Sequence, residues 1–160
     1  MLKPYRIRFD DDLKVYVFTT TNRVTYHITL FDRRELVQDY PHLKVRVLEF
    51  SFYPSKPQVR TNDPRVEVTI IHLLNDIFKK NENVLLVVYE STDGKHKARQ
   101  ILFEKWYKRN TTQLLEKVNF ALHMPDLDIK GMFLFRKDHP QRDEILKATK
   151  EIKDELQSYK

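Results

Sequence analysis

The sequence predicts an α+β fold: one domain over residues 1–160, in which an N-terminal antiparallel β-meander is extended by further strands and packed with about three helices. Three observations carry this. Alternating segments separated by short polar turns fill the first third of the chain. Two later segments, one after Asp63-Pro64 and one at the C-terminus, repeat apolar residues at spacings of three and four. Strands first, then helices mixed with strands, is the pattern of a single α+β layer structure.

The elements follow in order. "YRIRF" (Tyr5 to Phe9) alternates, with Tyr5, Ile7 and Phe9 on one face and Arg6 and Arg8 on the other. Asp10, Asp11 and Asp12 then form a turn, a commoner use of clustered aspartates than a metal site. "LKVYVFTT" sets Leu13, Val15 and Val17 against Lys14, Tyr16 and Phe18, and a turn at Asn22 leads into "VTYHITLF". "LKVRVLEFSFY" (Leu43 to Tyr53) is apolar on both faces and reads as a central strand. The prolines of "PSKPQVRTNDP" make a loop that ends in Asp63, an N-cap, and Pro64, a first helical residue. The helix after it buries Val66, Ile70, Leu73, Leu74, Ile77 and Phe78, with His72 and Asp76 on the opposite face. "NVLLVVYE" is a second strand covered on both sides. A helix follows from the Ser91–Asp93 caps to Asn110, then a hairpin of "KVNFALHM" and "GMFLFRK" with Pro125 to Lys130 as its loop. A last helix, about 140–158, carries a narrow stripe of Ile145, Ala148, Ile152 and Leu156.

The bulk numbers bound the function. The 160 residues are 41% hydrophobic and 12% aromatic, enough apolar surface to offset chain entropy. The absence of cysteine excludes disulfides, thiolate zinc sites and cysteine nucleophiles. Glycine occurs only at Gly94 and Gly131, which leaves little room for a glycine-rich phosphate loop. The start "MLKPYRIRFDDD" lacks the apolar region of a signal peptide, and the longest apolar runs fall far short of the ~20 residues that span a bilayer. A cytoplasmic protein without membrane contact is expected. A net charge of +6 permits nucleic acid, acidic protein or an anionic metabolite as partner.

The segment "STDGKHKARQILFEKWYKRN" holds the one residue out of pattern. At 100° per residue, Ala98, Ile101, Leu102, Phe103, Trp106 and Tyr107 form a wide apolar face with Arg99 inside it, and Lys97, Glu104 and Lys108 lie opposite. A buried guanidinium needs a partner. Either it forms a structural ion pair, with Asp63, Glu90 or Asp93 as candidates, or it is an anion site supported by Lys95 and the helix start. The same segment concentrates basic charge at Lys97, Lys105, Lys108 and Arg109 among aromatic residues, a pattern that fits a nucleic-acid backbone as well as a solvated helix face. The histidines are scattered without the i, i+4 spacing of a helical metal site, and no nucleophile elbow or phosphate loop is present. Neither metal nor cofactor is expected. Tyr26, His27 and His96 are able to serve as acids or bases, but nothing in the sequence selects them.

The succession "YVFTTTNRVTYHITLF", "DPRVEVTIIHLLNDIF", "STDGKHKARQILFEKWY" and "FRKDHP" resembles a domain-of-unknown-function family of small Bacteroidota proteins, over roughly residues 5 to 140. The resemblance implies a bacterial cytosolic protein and points to Asp63, Asp93, Arg99, Trp106, Lys137 and Asp138. It implies no activity, cofactor or partner. The leading expectation is therefore a non-catalytic binding or regulatory protein, meeting a protein partner or a second copy through strand faces or the last helix. Nucleic-acid binding through the basic helix 95–109 is the alternative, and an enzyme acting on a small anionic substrate at Arg99 the second.

Overall fold

The computed structural model describes residues 1–56, 63–89, 96–110, 114–124 and 127–158. Its strands are β1 (Arg8–Asp10), β2 (Val15–Thr19), β3 (Thr25–Asp32), β4 (Arg46–Pro54), β5 (Asn83–Tyr89), β6 (Leu115–Met124) and β7 (Leu127–Arg136). The helices are α1 (Pro64–Phe78), α2 (His96–Asn110) and α3 (Arg142–Ser158), and a 3-10 turn covers Arg34–Val37. The strands form one sheet in the order β1-β2-β3-β4-β5-β7-β6. Every neighbouring pair is antiparallel except β4 and β5, which run parallel with α1 as their crossover.

Both central strands are covered on both sides, as their unbroken apolar runs require. Toward α1 and α2 the core is built from Ile28, Phe50, Leu85, Val87, Ile70, Leu74, Phe103 and Trp106. Toward α3 and the 3-10 segment it is built from Val47, Val84, Leu86, Phe133, Phe135 and Ile145. The alternation of β5 explains the split: Leu85, Val87 and Tyr89 face one layer, Val84 and Leu86 the other. On α3, Ile145, Ala148, Thr149 and Ile152 are buried, so this helix docks on its own sheet. The Leu156 side chain lies outside the described residues.

Three local expectations need correction. The strand read from Tyr5 to Phe9 is only Arg8–Asp10. Tyr5 leaves the sheet because α1 holds it: its N–H donates to Thr69 Oγ1 at 2.8 Å and its ring stacks on Phe18. The β6–β7 hairpin is tighter than expected, since pairing continues to Met124 opposite Leu127. Leu13, placed with Val15 and Val17 by alternation, is exposed in the turn that Asp10 organises by accepting from the N–H groups of Asp12 and Leu13.

Candidate functional site

The parallel pair does not stay paired. Its register runs from Arg46 opposite Asn83 to Phe50 opposite Val87, and there it ends. Beyond that point β4 continues to Pro54 against β3, with Tyr26 opposite Pro54. β5 continues to Tyr89 against β7, with Tyr89 opposite Lys130. The sheet thus forks at the carboxyl ends of its parallel pair, the only one among the described residues. In open sheets that position, where the chain leaves two parallel strands for two helices, is where ligands bind. On the forked stretch, alternate residues of β4 turn backbone N–H and C=O groups away from β3 and toward the gap.

Aromatic rings floor the fork on its α1/α2 side. Phe103 of α2 meets Phe50 and Phe52 of β4 at ring-centroid distances of 6.1 and 5.5 Å, and Tyr89 of β5 at 5.8 Å. Trp106 stacks on Phe52 at 5.6 Å. Tyr89 is 2% exposed, yet its hydroxyl has no hydrogen-bond partner among the described residues. Burial, with the Glu104 carboxylate adding to it, pushes this phenol far above its ordinary pKa, so it stays a donor at any physiological pH.

Arg99 lies half-buried on the sheet-facing stripe of α2, one turn before Phe103. It is engaged in the structure. The wide apolar face expected around it is buried only on the side of Phe103, Trp106 and the half-buried Tyr107. The buried stripe runs through Phe103 and Trp106, whereas Ala98, Ile101 and Leu102 are exposed, Ile101 by 57%. Glu104, placed on the solvated side, is half-buried and ion-paired to Lys117. An apolar residue on nearly every side of this helix left its orientation to the aromatic residues, which bury more surface than the aliphatic ones.

The other candidate residues fall in several places. Asp63 caps α1: Oδ1 accepts from the Arg65 N–H at 2.9 Å and Oδ2 from the Tyr5 hydroxyl at 2.5 Å. Its charge raises the pKa of Tyr26, after burial, which is the larger cause. Glu90, Asp93 and Lys95 lie outside the described residues. Arg109 is ion-paired to Glu67 of α1, and Lys97, Lys105 and Lys108 are exposed. With Phe103 and Trp106 in the core, the basic helix offers charge without stacking rings. Asp138 is bound by Arg136 at 2.7 Å. No cluster of metal-ligating side chains occurs among the described residues. Two apolar clefts, one at Leu36, Val47 and Ile152, the other at Ile71, Trp106 and Met132, each have a cavity volume of about 10 Å³. That is space for about one water, a packing defect rather than a ligand pocket.

The fork was invisible in the sequence. Its only signal is that "LKVRVLEFSFY" and "NVLLVVYE" both read as doubly covered strands, and direction of pairing is not written in either.

Comparison with known proteins bears on identity more than on activity. The model of a Family of unknown function (DUF6169) matches residues 62–151, more than half of the chain. The chain belongs to that family. The match spans α1 through most of α3 and leaves out the N-terminal meander. No curated protein matches. Among solved structures, a CoA-dependent acyl-homoserine lactone synthase, MesI, is similar at 15% identity and a TM-score of 0.40, over 100% of this chain and 78% of its own. So distant a likeness carries no function across.

Proposed function

We propose that this chain is a binding protein for a small, extended, anionic ligand seated in the fork between β4 and β5. One observation supports the reading above the rest: the β4–β5 ladder stops at Phe50 and Val87 while both strands run on. A chain bearing secondary amides pairs with free strand edges as an added strand does. The aromatic floor suits methylene groups between those amides. A pantetheine-type arm has this chemistry, extended and amide-bearing, with a phosphate at one end.

The anionic end is assigned to the α2 side. The first turn of α1 is already capped by the Asp63 carboxylate, whose charge repels a phosphate. The loop before it, "PSKPQVRTND", has no glycine to bring backbone close to one. Arg99, in the first turn of α2, supplies the cation. The reading keeps a binding protein and assigns no reaction.

Calorimetric titration with coenzyme A and with pantetheine tests it. Both bind, coenzyme A more tightly, and Arg99→Gln removes most of that difference, about tenfold for one charged contact. Absence of binding by either compound would overturn the reading.

A further inference from the structure

A different surface of α2 remains unexplained by the fork. Viewed down the helix, the side turned from the sheet carries Lys97, Ala98, Ile101, Leu102, Lys105 and Lys108. Ile101 is 57% exposed and Leu102 38%, and Leu114, just past the helix end, is 60% exposed. All three lysines are exposed as well, and the one acid of this helix, Glu104, turns to Lys117. An aliphatic crest bordered by cations on a helix lying flat against its own sheet is therefore presented to solvent.

We infer that this face docks reversibly on an anionic lipid surface, with Ile101 and Leu102 entering the interface and Lys97, Lys105 and Lys108 at headgroup level. The charge pattern selects this occupant over others. A second copy related by a two-fold axis would set the lysines against themselves. Nucleic acid has phosphates for the lysines but nothing for the aliphatic crest, and the rings that would stack on bases, Phe103 and Trp106, are buried. A protein groove is the weaker match because lysine is depleted at such interfaces. Lysine stems lie along an apolar surface while their ammonium groups reach headgroup phosphates, which is the working arrangement of an interfacial helix. No described helix is long and apolar enough to cross a membrane, so the contact is peripheral.

Co-sedimentation with vesicles of phosphatidylcholine, with and without phosphatidylserine, decides the matter. The protein partitions onto the anionic vesicles and not onto pure phosphatidylcholine. Replacing all three lysines (Lys97→Gln, Lys105→Gln, Lys108→Gln) lowers that partition about a hundredfold. The double variant Ile101→Ser, Leu102→Ser lowers it about tenfold. These side chains are exposed, so both variants keep the wild-type melting temperature. No binding to anionic vesicles at low salt would overturn the inference. So would binding that falls with the lysines but is untouched by the aliphatic pair, because that is plain attraction to any polyanion.

Discussion

Two single residues show how little slack the central strands have. Gly131 of β7 lies opposite Val88, and a Cβ built on it would sit 2.4 Å from the Val87 carbonyl oxygen and 2.5 Å from Phe120 Cζ. The ring can swing, but the carbonyl belongs to the sheet. Gly131→Ala should cost about 3 kcal/mol, seen as a lower urea midpoint at unchanged slope; a wild-type midpoint would mean that β7 can shift. Tyr89 predicts the opposite sign. Its buried hydroxyl already bears a desolvation penalty without a hydrogen bond among the described residues, so Tyr89→Phe should be neutral or stabilising by about 1 kcal/mol. A clear loss of stability would mean that the hydroxyl has found a partner.

At the scale of elements, what could be read in advance was whatever depends on near neighbours. α1 was legible from its cap and stripe, and both are present: Asp63 caps, and Val66, Ile70, Leu74 and Phe78 are buried. Asp63→Ala should cost about 1–2 kcal/mol, and Asp63→Asn should recover most of it by keeping the cap, as chemical denaturation will measure. α2 is legible only in part, with Phe103 and Trp106 on the expected face but Ile101 and Leu102 in solvent, because its stripe is set by those two rings meeting Phe52, a contact between segments some fifty residues apart in sequence. The parallel pairing of β4 and β5, and hence the fork, was out of reach for the same reason. The start of α3 hides a pH dependence that no periodicity reveals. His139 is buried, its Nδ1 accepts from the Gln141 N–H at 2.9 Å, and burial lowers its pKa below 6.5 against the opposing pull of Asp138 and Glu144. The unfolded chain therefore takes up this proton first, and the His139 contribution is complete above pH 6.5 and declines as pH falls from there toward the folded pKa. His139→Gln should flatten that part of the stability-against-pH curve. An unchanged slope would assign the dependence elsewhere.

Over the whole molecule, the fork divides the sheet into a β1–β4 part and a β5–β7–β6 part, joined in the sheet, among the described residues, by the short parallel ladder alone. Such a sheet unfolds as one body only if the layers above and below tie the parts together. Phe103 is the tie on the α2 side, because one ring reaches Phe50 and Phe52 on β4 and Tyr89 on β5. Phe103→Ala removes contacts to both parts at once and should cost about 3–5 kcal/mol. The chain's single tryptophan, Trp106, stacks on Phe52 and so reports on the β4 side, whereas far-ultraviolet circular dichroism reports on the whole sheet. In the wild type the two signals should lose structure at the same urea concentration, the mark of one cooperative unit. In Phe103→Ala both should move together to a lower midpoint if the ladder and α3 still couple the parts. Should the tryptophan transition instead move ahead of the circular dichroism, the aromatic floor is the main coupling, and the parts behave as separate folding units once it is gone. A loss below about 1 kcal/mol would deny the ring any bridging role, since that is the cost of an ordinary half-buried side chain.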